Sequence, residues 1–266
     1  MRALSRKLLA VASVATFAVS SLAPFPGWTA DEHPSARDIM LKAREKQFPA
    51  NSISDLTMTL ISKGGDRRVR KILTKRKEDE SGKSMSVAYF LSPADVKGTA
   101  FLVWEHTGQP NDVFIYLPAL KKIRRIASEQ KHERFMGSDF SYADMENADV
   151  DEADHRMLAE EEVGGKVCWA VESVPKPTSD SEYSKLVSWV RKEDFIPQKI
   201  EFYDKQGKQY KIMEVLKVGP VGDQVLPLQF TMQNVQKEHK TEILLENVQL
   251  NQNIPDDEFT HRAIQR

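Results

Sequence analysis

Residues Val113 to Tyr142 read VFIYLPALKKIRRIASEQKHERFMGSDFSY, and they hold three kinds of segment. Val113 to Leu117 is a short apolar run rich in β-branched and aromatic residues, the pattern of a buried strand. Pro118 has no N–H to give a ladder, so the strand ends, bulges or lies at an edge there. Lys121, Lys122, Arg124 and Arg125 then surround Ile123, and Ile126 closes the run. A strand with one wet face fits this better than a helix. After a polar connection comes Phe135-Met136-Gly137-Ser138-Asp139-Phe140-Ser141-Tyr142, aromatic residues around a Gly-Ser-Asp turn signal. A loop this apolar needs an apolar surface to touch.

Strand signals extend in both directions. Leu56, Met58 and Leu60 alternate with Thr57 and Thr59, a Lys63-Gly64-Gly65-Asp66 turn follows, and Arg67 to Lys77 returns as a charged strand. Met85 to Leu91 and Ala100 to His106 precede the opening run. Arg156 to Val163, Lys166 to Val174, Leu186 to Lys192, Gln198 to Tyr203, Gln209 to Val218, Val225 to Gln236 and His239 to Gln249 follow it. So many short strands with Gly, Asn and Asp turns predict a mainly β (α+β) protein, either sandwich or barrel. The clearest helix is Ser35 to Gln47, with Ser35 as N-cap, Asp38 three residues on, and Phe48-Pro49 as its stop.

Arg2, Arg6 and Lys7 precede an apolar run from Leu8 to Val19, too short for a comfortable membrane span. Residues 1–30 are expected to be a secretory signal peptide, cut after Ala30 or after Ala23, with an uncleaved anchor as the alternative. Residues 31–266 then form one binding domain with a charge of 35 − 39 = −4, against 38 − 39 = −1 for the whole chain. That mild acidity argues against general nucleic-acid binding. The single cysteine, Cys168, forms no internal disulfide, so the fold must hold by packing. It lies in a strand-like run and reads as a small core residue.

Sequence support for chemistry is thin. There is no G-x-S-x-G, H-E-x-x-H, C-x-x-C, P-loop or G-x-G-x-x-G pattern, and the six histidines show no metal-ligand spacing. The acidic run Asp144 to Glu162 lacks EF-hand spacing and reads as a solvated face. No catalytic residue, metal or cofactor is assigned. An envelope hydrolase with a paired-carboxylate site needs no local motif and stays open.

YLPALKKIRRI and FMGSDFSY resemble the outer-membrane lipoprotein-sorting proteins of the LolA-like superfamily, in the branch associated with membrane transporters. FLSPADVKGTAFL (Phe90 to Leu102), YSKLVSWVRKEDFIPQKIEFYDKQGK (Tyr183 to Lys208) and IPDDEFT (Ile254 to Thr260) extend the resemblance over most of residues 31–266. It implies an unclosed antiparallel half-barrel whose concave face is covered by a few helices. It further implies a periplasmic carrier that holds a lipid or lipoprotein acyl chain in the hollow. The donor would be an inner-membrane transporter complex and the acceptor would lie at the outer membrane. The same superfamily fold also serves sensors that report lipid or lipoprotein to a membrane partner. Residues that engage the lipoprotein donor in the founding carrier have no match here.

An apolar concave face must be covered, since each exposed Å² costs about 25 cal/mol. Candidate lining residues at period-two spacing are Met58, Leu60, Val87, Tyr89, Phe101, Val103, Phe114 and Tyr116, with Trp169 and Trp189 adding flat surface. The bland reading of such stripes is ordinary core. Phe135, Met136, Phe140 and Tyr142 are expected at a lid or rim, or in a loop pinned for stability. An ion pair from Asp139 to Arg124 or Arg125 would clamp that loop. The basic run Lys121 to Arg125 suits either anionic headgroups or a charged, aggregation-resistant strand edge.

Overall fold

Hairpins generate almost the whole sheet. The structure, a computed structural model, describes residues 34–266 except 48, 80–82, 107 and 147–148; the expected signal peptide and Phe48 lie outside the described residues. The first run of strands is β1 (Ser52–Ile61), β2 (Arg67–Glu78), β3 (Ser84–Ser92), β4 (Ala100–Trp104), β5 (Asp112–Leu117) and β6 (Lys122–Arg125). The second is β7 (Ala153–Val163), β8 (Lys166–Pro175), β9 (Lys185–Arg191), β10 (Pro197–Tyr203), β11 (Gln209–Val221), β12 (Gln224–Asn234) and β13 (His239–Gln249). They form one 13-stranded sheet, ordered β6-β5-β4-β3-β2-β1-β13-β12-β11-β10-β9-β8-β7.

Each pair in that order is antiparallel and consecutive in sequence, except β1 with β13, which zips the two runs together from Ile53↔Gln249 to Ile61↔Lys240. The edges are therefore β6 and β7, which follow one another along the chain. Residues 126–152 must cross from one edge to the other. They form the strap of the molecule.

The sheet curls under this strap. Phe101, Val103 and Ile115 of β4 and β5 share one buried cluster with Ile200, Phe202 and Met213 of β10 and β11. Only a curved sheet brings side chains from opposite halves of the strand order together. Register shifts in the β1–β13, β2–β3 and β7–β8 ladders add local twist and bend. Since β6 and β7 do not pair, the barrel stays open.

The expectation of a few helices over the concave face needs correction. The described residues contain one α-helix, α1 (Ala36–Gln47), and otherwise only 3-10 turns. Ser35 Oγ accepts from the Asp38 N–H (3.1 Å) and donates to its carboxylate (2.6 Å), which caps the helix start. Ile39 and Ala43, one turn apart, pack on Trp169, Val171 and Val190 at the β8–β9 end. The rest of the cover is the strap, which lacks helical periodicity. Met136 (φ 50°) and Gly137 (φ 76°) both sit in left-handed backbone, which interrupts any helix there.

The outer face has its own cover. Ile254, Phe259 and Ile264 of the final segment pack with Val87, Leu102 and Phe114. Tyr89 and Trp104 donate hydrogen bonds to the backbone carbonyls of Glu258 (3.4 Å) and Phe259 (2.8 Å). The segment IPDDEFT thus seals the outside of β3–β5.

Candidate functional site

Register assigns each lining candidate to a face. On one face, Met58 opposes Ile243 of β13, Leu60 opposes Thr241, Ile72 opposes Phe90, and Phe101 opposes Ile115. All but Thr241, which is buried beside them, belong to the inner hydrophobic cluster. Met58, Leu60, Phe101 and Val103 are brought together there, at 1%, 6%, 3% and 0% exposure. Val87, Tyr89, Phe114 and Tyr116 lie one residue out of phase and face outward, against the C-terminal segment. Their placement in the hollow is corrected on that ground: with a side-chain period of two, one residue of phase reverses the face.

The two tryptophans separate in the same way. Trp169 points inward but is capped by α1 and Phe195 rather than open to the hollow. Trp189 is on the outer face, where its Nε1 donates to Glu161 (2.9 Å) and Lys199 lies over its ring. Cys168 is buried, and burial raises its thiol pKa.

The strap is a small hairpin laid into the hollow. Tyr142 N–H donates to Glu133 O (3.1 Å), Phe135 N–H to Phe140 O (2.7 Å), and Ser138 N–H to Phe135 O (2.9 Å). Gly137 makes the tight tip possible through its positive φ. The hairpin therefore satisfies much of its own backbone and presents rings to the sheet. Phe135, with 1% exposure, meets Phe101 edge-on at 4.9 Å and Tyr142 at 5.6 Å. Phe140 meets Phe230 of β12 at 6.3 Å. Met136 lies at the rim of this cluster.

Polar ties fix the strap in place. The Asp139 carboxylate accepts from Thr241 Oγ1 (2.7 Å) and from His239 Nδ1 (2.7 Å), both on β13. Its own N–H donates to Thr241 Oγ1 (2.9 Å), and Arg134 lies 3.4 Å away. The expected clamp to Arg124 or Arg125 is thus corrected: Arg125 bonds Asp112, and Arg124 is an exposed residue of the edge strand β6. The true partners are a hundred residues distant in sequence, and only the sheet order reveals them. From β2, Arg70 donates to the Met136 carbonyl (2.5 Å).

A second set of ties lies toward β11. Asp144 accepts from Tyr183 OH (2.8 Å), Lys211 Nζ (3.0 Å) and the Ser141 N–H (2.8 Å). Lys211 is 3% exposed yet stays charged: burial pulls its pKa down, but Asp144 and Glu182 more than offset this and leave it raised. Burial, then the same two carboxylates, pushes the Tyr183 phenol well above its usual value. Glu146 is also pushed up, by burial, although Lys131 (2.9 Å) and Asn111 (2.8 Å) hold it. Sequence reasoning missed Lys211, Tyr183, His239 and Thr241. A lysine in phase with the inward-facing Met213 and Val215 of β11 was the available signal.

Among the described residues, no group of three or more His, Cys, Asp or Glu could hold a metal ion. No helix of the described residues is long and apolar enough to cross a membrane.

An open antiparallel half-barrel with a covered apolar inner face defines the LolA-like class of fold. A crystal structure of a LolA superfamily protein from Nitrosomonas europaea superposes at TM-score 0.70 with 19% identity, over 86% of this chain and 99% of that one. More similar is a domain from Vibrio parahaemolyticus described as an outer membrane lipoprotein-sorting protein (TM-score 0.81, 28% identity, 87% and 98% coverage). The chain belongs to the DUF1329 family. A crystal structure of a DUF1329 protein from Desulfovibrio piger matches at TM-score 0.82 and 30% identity, over 86% of this chain and 97% of that one. A family profile described as "Uncharacterized protein" matches residues 82–266. No curated protein matches the chain.

Proposed function

We propose that the protein is a periplasmic carrier that shields an acyl chain, of a lipid or a lipoprotein, in the hollow beneath the strap. The observation that supports this most is the nature of the cover. An extensive apolar inner face is closed by a self-bonded hairpin whose ties to the sheet are side-chain hydrogen bonds and ion pairs. Such a cover can lift with its internal backbone bonds intact, giving up only the Asp139 N–H and Met136 carbonyl bonds to the sheet, and an alkyl chain can take the place of its rings against Met58, Phe101 and Val103.

The similarity to a lipoprotein-sorting domain points the same way, as does the signal peptide read in residues 1–30. The transfer requires no covalent chemistry: cargo moves down a gradient of affinity from an inner-membrane donor, such as a transporter complex, to an outer-membrane acceptor. One protein domain, 31–266, suffices for this.

The test is mass spectrometry of protein purified gently from the periplasm, native and then after organic extraction, combined with a reversible lock. Asp139 and Thr241 are in direct contact, so the double variant Asp139→Cys, Thr241→Cys places a disulfide between strap and sheet. A stoichiometric lipid on the wild type, taken up by the reduced double variant and refused by the oxidised one, is the expected result. A clean apo mass after incubation with envelope lipids, or equal uptake by both redox forms, overturns the reading.

A further inference from the structure

The rim of the hollow carries a cluster of arginines. Arg68 and Arg70 project from β2 on the same face as Ile72, beside Leu60 and Met58 of β1. Two positions along a strand are roughly 6.6 Å apart, from a rise of about 3.3 Å per residue. Together with Arg134 and His239 they line a cleft of about 410 Å³, whose apolar wall includes Leu60 and Met136 of the strap tip.

Arginine outnumbers carboxylate in this cleft. Asp66, on the β1–β2 turn, is the carboxylate of the cleft wall and accepts from Ser62 Oγ (3.3 Å). Asp139 lies behind the wall, bonded to Thr241 and His239. Arg134 spends its Nε on Ser138 O (2.7 Å). Arg70 is 9% exposed and gives one N–H to Met136 O; burial lowers its pKa, and Asp95 offsets this in part. Arg68, exposed and without a hydrogen bond or ion pair among the described residues, completes the set. A buried guanidinium beside an exposed one of like charge makes a place where a bound anion would relieve their repulsion.

We infer that this cleft is an oxyanion subsite, with the Arg68 and Arg70 forks receiving a phosphate, sulfate or carboxylate group and Leu60 and Met136 leading an attached alkyl chain under the strap. Planar guanidinium forks suit such groups because they donate two parallel hydrogen bonds. The attachment to a chain rests on the carrier reading; the oxyanion site does not. Where the oxyanion is a headgroup, cargo selection happens at the rim, by charge, before the chain enters.

The test is calorimetry on the exported chain with three probes: inorganic phosphate, dihexanoyl phosphatidic acid, and uncharged dihexanoylglycerol. The variants are Arg68→Gln and Arg68→Lys, at an exposed position where folding is checked by circular dichroism. Phosphatidic acid is expected to bind, and to weaken about tenfold in Arg68→Gln, less in Arg68→Lys, and also as salt rises. Dihexanoylglycerol should bind the same in all three proteins. Phosphate binding that is lost in Arg68→Gln, without any lipid binding, keeps the site, assigns it a free anion and sinks the carrier reading. Both lipids binding equally, untouched by Arg68→Gln, removes the subsite and leaves the carrier. Phosphate binding that ignores Arg68, or no binding of any probe, overturns the subsite.

Discussion

The inner and outer faces of this sheet are both apolar and both covered, but by different means. Outside, the C-terminal segment is held by Tyr89 and Trp104 donating to its backbone carbonyls and by the Lys75–Glu258 and Lys77–Asp256 ion pairs, with Phe259 and Ile264 at 1% exposure. Inside, the strap bonds mainly to itself, and its ties to the sheet run through ionisable side chains such as Asp139, Arg70 and Lys211. A self-bonded hairpin can be exchanged for a ligand at the cost of its ties to the sheet and of whatever ring contacts the ligand leaves unreplaced.

The sharpest way to break this contrast is a pair of truncations. Phe259→Ala and Phe135→Ala each empty a fully buried site and should cost about 3–5 kcal/mol in urea unfolding. Saturating acyl lipid is expected to recover part of the Phe135→Ala deficit, because the chain fills the same inner space, and none of the Phe259→Ala deficit. Equal responses from both would show that the covers are equivalent.

Asp139→Asn is the next largest. It should cost about 1–3 kcal/mol, since a buried carboxylate bonded to Thr241 and His239 becomes a poorer acceptor. Amide hydrogen exchange should speed up in residues 131–143 and stay unchanged in 254–265. Uniform acceleration across both covers would mean that the tie stabilises the whole fold.

High pH offers a graded version. Burial raises the Tyr203 phenol to about 12, with its hydrogen bond to Glu201 adding to the effect, while Tyr183 and Lys211 are raised as well. All three hold protons longer in the folded than in the unfolded chain. Their contribution is therefore complete below pH 10 and lost as pH climbs toward 12. Tm measured over that range should fall, and less steeply in Tyr203→Phe. The strap should become protease-sensitive before the C-terminal segment does; simultaneous cleavage would count against separate covers. The smallest effect belongs to Arg125→Gln, at a largely exposed pair with Asp112 on the edge strand, worth no more than about 1 kcal/mol in the same unfolding assay.

Strand positions were legible because hairpin punctuation is local. Turns such as Lys63-Gly64-Gly65-Asp66 and Gly164-Gly165 mark the ends of strands without reference to anything distant. The choice of face was not legible in β3–β5, and the reason is physical. With strap on one side and C-terminal segment on the other, Ala100 to Val103 are buried at every position, so alternation carries no phase. Along β1, Met58 and Leu60 could be phased because Thr57 and Glu242-facing Thr59 keep the alternation visible. The Asp139 partners were out of reach for another reason: the loop meets β13 only because β13 pairs with β1 at the centre of the sheet.

That central pairing has a mechanical corollary. β1 and β13 join two fans of strands, and the strap is the bowstring tied between their outer tips. Lengthening the string should let the bow relax, and shortening it should draw the mouth of the hollow closed. Severing it within residues 131–143 leaves two fragments that meet along the β1–β13 ladder, each carrying half of the inner face. The span of this one connection thus sets how wide the open barrel stands.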